Sequence, residues 1–276
     1  MATQVSVVAV IPNFNMAEYL ARLLPQVLGA GYDRVFVLDD ASTDDSVDVV
    51  AGFGDDVVLI RSPVNQGAGT NRNQIIGHVD DETLIHFVDA DMDLKTPDSA
   101  AVVRDVFARC ADRGVGVVGG LVRRADGAQE LYNYGPVFSL RTHLTGGFPP
   151  LIDRLRHWPA LARPIAKAFR PAMRAWPKIL ETPVAVPTYW VHEGNMIITA
   201  GAFGSLGGYD SRIREHETQD LAIRLQNRGV RTHFDPSIEV MHHHAQVRGR
   251  FRMHEQFAAA MYLIRTHGLR RYLVDH

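Results

Sequence analysis

Residues 86 to 94 read HFVDADMDL, with the carboxylates of Asp89, Asp91 and Asp93 on alternate positions at the end of an apolar run. Side chains two apart on an extended segment share a face, at backbone separations of about 6 to 7 Å, so Asp89 and Asp91 can converge on one ion. Carboxylate oxygens suit a hard octahedral cation, Mg2+ or Mn2+, that keeps positions open for substrate phosphates. Asp93, with Thr96 and Pro97 following, is read instead as the cap of a helix over 97 to 110. A second cluster is MHHHAQVRGR, residues 241 to 250. On a strand His242 and His244 share one face and His243 takes the other, so two imidazoles can approach a metal or a diphosphate together.

The elements that must hold these groups are legible as an alternation. Short β-branched runs at 5 to 11, 34 to 39, 56 to 60, 83 to 89 and 115 to 122 are separated by segments of helical apolar spacing. Strand, helix, strand in repetition predicts an α/β fold with a largely parallel sheet covered on both faces, whose ligands bind beyond the carboxyl ends of the strands. The unusual polar strings all fall there: PNFN, DDASTDD, NQG and DADMD. A dinucleotide-binding fold would need G-x-G-x-x-G directly after the first strand, where PNFN stands. Further on, EHETQDLAIRLQNRG predicts a helix closed by Gly229, then strands VRTHFD and IEVMHHH and a helical C-terminal segment.

Composition narrows the class. A net charge of -2 over 276 residues argues against a nucleic-acid binder. One cysteine, Cys110, rules out an internal disulfide framework and suits a reducing compartment. The N-terminus lacks a charged start and no stretch has the roughly 18 apolar residues of a membrane span, which predicts a cytoplasmic protein.

In order and spacing, IPNFN, VLDDASTDD, NQGAGTNRN, FVDADMDL, EGNMIITAGAFGSLGGYD and ETQDLAIRL resemble the family 2 glycosyltransferases of the GT-A fold, with DAD as the family's D-x-D. The resemblance runs from residue 5 to about 245, outside an irregular stretch at 130 to 190. It implies one domain over 1–276: a nucleotide-sugar-binding half (1–125), an acceptor-side insertion (126–190), and an acceptor and catalytic half with a C-terminal helix (191–276). It also implies sugar transfer from a nucleoside-diphosphate donor to an acceptor hydroxyl, with inversion. Pro12 and Asn15 would shape the donor loop, and Asp39 and Asp40 would accept from a base N–H and ribose hydroxyls. Asn65 and Gly67 would let backbone approach the nucleoside, although Gly67 is equally well a turn glycine. Arg72 would pair with a phosphate or an aspartate. Asp89, Ala90, Gly194, Asn195 and Arg248 complete the implied donor set, and a histidine as third metal ligand favours His242, with His244 as alternative and Arg248 and Arg250 as diphosphate clamps.

Attack on an oxocarbenium-like carbon needs a carboxylate to take the hydroxyl proton. The family's base lies in an E-D-x-D-L motif, matched here by Glu217-Thr218-Gln219-Asp220-Leu221, so Thr218 stands where an aspartate is usual. Glu217 is the expected base, Asp220 the second candidate, and a first-turn residue favoured by the helix dipole is the plain alternative for Glu217.

Residues 154 to 178 carry seven Lys or Arg and no acid. Arg163, Lys167, Arg170, Arg174 and Lys178 recur at helical spacing opposite Leu161, Ile165, Phe169, Met173 and Trp176. This pattern fits a helix on an anionic membrane surface or an amphipathic lid packed on the domain, and its prolines predict short pieces. The membrane reading suggests a cell-envelope or lipid-linked glycan as acceptor. Two further classes fit the strings less well: a sugar-phosphate nucleotidyltransferase, and a sugar-nucleotide binder without turnover.

Overall fold

The computed structural model describes residues 4–243 and 253–274. The first half is the expected alternation: β1 (Val7–Asn13), α1 (Ala17–Leu28), β2 (Arg34–Asp39), α2 (Ser46–Ala51), β3 (Val57–Arg61), α3 (Ala68–Arg72), β4 (Leu84–Val88), β5 (Met92–Leu94), α4 (Ser99–Cys110) and β6 (Val115–Arg124). The middle holds β7 (Tyr134–Gly135), α5 (Leu140–Thr145), α6 (Phe148–Leu155), α7 (Pro159–Ala168), β8 (Val186–Thr188) and β9 (Trp190–Val191). The last part holds β10 (Asn195–Thr199), α8 (Ala200–Ser205), α9 (Glu217–Gln226), β11 (Arg231–His242), α10 (Met253–His267) and α11 (Leu269–Leu273).

The main sheet runs β3-β2-β1-β4-β10-β6-β11-β5, with β8 also paired to β11. β1 to β4 are parallel to one another and β6 is parallel to β11, whereas β10 runs antiparallel between β4 and β6. Near-continuous apolar runs form these strands because both faces are covered. On one face Leu20, Leu23, Leu24 and Val27 of α1 pack on Ala9, Ile11, Val35 and Val37. On the other, Phe203 of α8 and Leu221 and Leu225 of α9 pack on Val8, Val10, Phe36 and Phe87.

Three local expectations are corrected. VRTHFD and IEVMHHH form one strand, β11, because Asp235 Oδ1 accepts from the Ser237 amide and hydroxyl and bends the chain without ending it. Asp89 to Met92 is a turn and not extended chain, closed by the Met92 N–H donating to Asp89 O at 3.0 Å. Asp93 caps nothing; on β5 it accepts from Arg22 Nε at 2.8 Å and pairs with His243 Nε2 at 2.8 Å, tying α1 to the end of β11.

Under the site the sheet is pinned by a buried polar chain. His86 is fully buried; its Nε2 meets Asn195 Oδ1 at 2.8 Å and its Nδ1 meets the Tyr32 hydroxyl at 2.7 Å. Asn195 Nδ2 donates onward to Leu121 O and Ile238 O, joining β4, β10, β6 and β11. Burial pulls the His86 pKa from 6.5 down to about 4, partly opposed by the Asn195 bond. Between those values the unfolded chain binds a proton that the folded chain refuses, so stability is lost as pH falls through that window, at up to about 1.4 kcal/mol per unit. In thermal melts from pH 7 to 4.5, His86→Gln should show a shallower loss of melting temperature than wild type; parallel slopes would contradict this account.

Candidate active site

The site lies where the carboxyl ends of β1, β2, β4, β6 and β11 meet the amino end of β10. At the ends of β1 and β2, Asn13 Nδ2 donates to Asp39 Oδ1 and to Ser42 Oγ, both at 3.2 Å, and Arg61 Nε lies 3.3 Å from Asp39 Oδ2. Pro12 is buried within β1, opposite Leu38. Asn15, with φ of 52°, accepts the Thr43 N–H at 2.7 Å and clasps the loop after β2. Asp40 accepts from the Gln66 and Gly67 amides at 2.8 and 2.9 Å, holding the NQG loop beside the end of β2. Burial raises the Asp40 pKa against those two bonds and the field of Arg214. Gly67, with φ of 88°, takes a conformation that side chains rarely adopt, and the Arg214 side chain lies over it. Asn65 sits exposed on the same loop.

At the end of β4, Arg72 is 1 % exposed and its Nη2 donates to Asp89 Oδ1. Burial opposes the charge on Arg72, but the fields of Asp89 and Glu193 outweigh it and hold its pKa above the usual arginine value. Burial also raises the Asp89 pKa, Arg72 lowers it, and Glu193 and Asp91 raise it further. Ala90 is buried in the turn, and the Asp89 carboxylate lies so close to Gly194 that a Cβ there would stand 2.5 Å from Oδ2. The glycine is therefore a steric requirement of the aspartate.

Asp91 is 5 % exposed, and its Oδ2 stands 3.2 Å from Nε2 of His242. Nδ1 of His242 lies 3.3 Å from Glu130 Oε1. Burial works against protonation of His242, yet the bonds to Asp91 and Glu130 and the fields of Asp91 and Asp89 push its pKa up to about 10. His192 lies edge-on to His242 at 5.9 Å between centroids, with its pKa lowered by burial and by His242. Acids thus surround a corner that draws positive charge. Among the described residues no three ligand-type side chains close around a cation by themselves. A hard cation taking Asp91 and His242 and completing its shell from donor phosphates fits such a donor set. His244, Arg248 and Arg250 lie outside the described residues.

At the start of α9, Glu217 is 6 % exposed and pressed on α3, since a Cβ at Gly69 would stand 2.3 Å from its Oε1. Asp220 has both oxygens engaged, Oδ2 by Arg224 Nε at 2.6 Å and Oδ1 by His267 Nε2 at 2.7 Å, so it anchors α9 to α10 and is not placed to take a proton from an acceptor. Asn195 is likewise a sheet anchor, fully buried and turned away from the cleft, which removes it from direct donor contact. Thr218 Oγ1 donates to Glu193 Oε2 at 3.3 Å. Glu130, His192, Glu193 and Arg214 are the groups that sequence reasoning missed. His192 and Glu193 stood within the HEGN string; Glu130 carried no motif signal.

The insertion is tethered to the end of β6, where Arg124 grips Asp153 through two bonds of 2.9 and 2.8 Å. Met173 and Trp176 pack inward with Ile152 and Trp190, with Ile165 and Phe169 half-buried beside them. Leu161 departs from the expected stripe and is 56 % exposed. No described helix is long and apolar enough to cross a membrane.

A curled, mostly parallel sheet with polar loops and an acid turn at its strand ends defines the GT-A class of sugar transferase. Consistent with this, the chain aligns over 95 % of its length with S. aureus TarS 1-349 in complex with UDP-GlcNAc (TM-score 0.61, 13 % identity), spanning 66 % of that chain. It aligns over 90 % with the mannosyltransferase PcManGT from Pyrobaculum calidifontis in complex with GDP-Man and Mn2+ (TM-score 0.56, 16 % identity), spanning 59 % of that chain. The glycosyl transferase family 2 pattern matches residues 8–144. A Mycobacterium tuberculosis N-acetylglucosaminyl-diphospho-decaprenol L-rhamnosyltransferase is 28 % identical over 91 % of this chain and 79 % of its own. The chain belongs to glycosyl transferase family 2 and is a glycosyltransferase.

Proposed function

We propose that the protein transfers a sugar from a nucleoside-diphosphate donor to a hydroxyl of a lipid-linked glycan, with inversion, using Mg2+ or Mn2+ held by Asp91 and His242. The observation that carries this reading is the Asp91–His242 pair at 3.2 Å, set in an acid-rich corner beside the Arg72–Asp89 pair. When bound, the cation would offset the charge building on the departing diphosphate. The loops fixed by Asp39, Asp40 and Gly67 would seat the nucleoside, and Arg72 would keep Asp89 in place. Direct displacement, and therefore inversion, suits a cleft with the phosphate-facing corner on one side and the carboxylates near the start of α9 on the other.

The acceptor class is supported by the mycobacterial relative and by the outer surface of the insertion. Leu144, Leu151, Trp158 and Leu161 are 72, 41, 60 and 56 % exposed, and Arg154, Arg163, Lys167 and Arg170 are exposed on the same segment. Apolar side chains among cations suit contact with an anionic membrane face, where a lipid-linked acceptor would be met. With nucleoside-diphosphate rhamnose, Mn2+ and GlcNAc-diphosphoryl polyprenol in anionic vesicles, the protein should release nucleoside diphosphate and sediment with the vesicles. Release of pyrophosphate, or no release with rhamnose, mannose or GlcNAc donors, would overturn the transfer reading; turnover without vesicle binding would remove the membrane contact.

A further inference from the structure

We infer that Glu193 is the general base that takes the proton of the acceptor hydroxyl, standing in for the aspartate that the α9 motif lacks at Thr218. The inference rests on the transfer reading above and concerns which carboxylate serves it.

The cleft is rich in acids, but most are committed. Asp39 is held by Asn13 and Arg61, Asp40 by two backbone amides, Asp89 by Arg72, and Asp220 by Arg224 and His267. Asp91 and Glu130 face the two nitrogens of His242 at the phosphate-facing corner. Glu217 is packed on the α3 backbone at Gly69, with little surface left for an acceptor to reach. Glu193 differs in position, and it matches in access Asp89, which is 25 % exposed but bonded directly to Arg72. Its side chain is 24 % exposed, its Oε2 accepts from Thr218 Oγ1 at 3.3 Å, and its Oε1 stands 3.9 Å from Arg72 Nη1. One oxygen thus touches the first turn of α9 while the other lies toward the guanidinium that holds Asp89. A carboxylate between those two points lies between the acceptor side and the donor side, where a base must reach the attacking hydroxyl.

The backbone around it is fixed. The His192 N–H donates to Asn133 O at 2.9 Å and the Asp89 N–H to Gly194 O at 3.2 Å, so the chain carrying Glu193 is bonded on both sides. A base held on a rigid segment loses little freedom when the acceptor arrives. Thr218, a hydroxyl where a carboxylate is usual, supplies the hydrogen bond that orients the replacement.

In the step itself, the acceptor oxygen forms its bond to the anomeric carbon as the carbon–oxygen bond to the diphosphate breaks. That electron pair stays with the diphosphate oxygen. The hydroxyl proton passes to a Glu193 carboxylate oxygen and from there to solvent after product leaves.

Glu193→Gln preserves shape and tests the assignment. With the rhamnose donor and GlcNAc-diphosphoryl polyprenol, kcat should fall by about 10²-fold or more. Donor affinity by calorimetry should stay within about twofold, since a group acting in the transition state need not aid ground-state binding. Adding Thr218→Asp to Glu193→Gln should restore at least about tenfold of the lost kcat by returning a carboxylate to α9. The assignment is overturned if Glu193→Gln keeps kcat within about threefold of wild type, or if donor affinity falls by as much as kcat. Either result would leave the transfer reading intact, because that reading fails only on the behaviour of the wild-type protein.

Discussion

Asp91→Asn is expected to lower turnover by about 10³-fold, the scale of several kcal/mol of lost charge stabilisation at the departing diphosphate. Asparagine keeps the shape and one acceptor oxygen at this 5 % exposed position, but removes the charge that a hard cation requires. The fold should tolerate the change, because Asp91 is a like-charged neighbour of Asp89 whose field raises the Asp89 pKa. Removing that repulsion offsets the weakened contact with His242. The expected signature is therefore a catalytic loss without a stability loss: kcat down steeply, with the cation-free melting temperature within a few degrees of wild type. Turnover within about tenfold of wild type would contradict the assignment of Asp91 as a ligand.

Arg72→Met should show its effect in stability. Arg72 is 1 % exposed, donates to Asp89 and to Ala68 O at 3.0 Å, and lies over the rings of Phe87 and Tyr209 at 5.9 and 6.0 Å. Methionine fills the apolar part of that volume and leaves Asp89, with Glu193 and Glu217 nearby, without the buried cation. Breaking a buried pair from one side costs about 3 to 5 kcal/mol. At roughly 2 to 4 °C per kcal/mol for a chain near this length, the melting temperature should fall by about 10 °C. A drop of under about 3 °C would show that the guanidinium is not what balances these acids.

Where a pattern was local, the sequence carried it far. The Arg34–Asp39 strand and the α9 helix with its Gly229 stop follow from apolar periodicity and cap chemistry, which depend on neighbours a few residues away. The acids after β4 stand out in the sequence as a candidate cation site, but their geometry was read as a strand because alternation of types alone does not separate a turn from extended chain. Asp93 was misread for a related reason: its partners Arg22 and His243 lie 71 and 150 residues away. Asp220 and Asn195 stood in motif strings but serve as anchors, since their partners His267, Leu121 and Ile238 come from distant elements. Glu193 was hidden in the same way. Its meaning depends on Thr218, 25 residues on, and becomes visible only when β10 and α9 are brought together.

Calorimetric titration of UDP, GDP and dTDP into the wild-type protein, with Mn2+ and again after chelation, tests the role proposed for the Asp91–His242 corner without needing an acceptor. At least one of these diphosphates should bind in the presence of Mn2+ and lose at least about tenfold in affinity after chelation, and Asp91→Asn should abolish that difference. A diphosphate that binds equally well with and without the cation, in both proteins, would contradict the account.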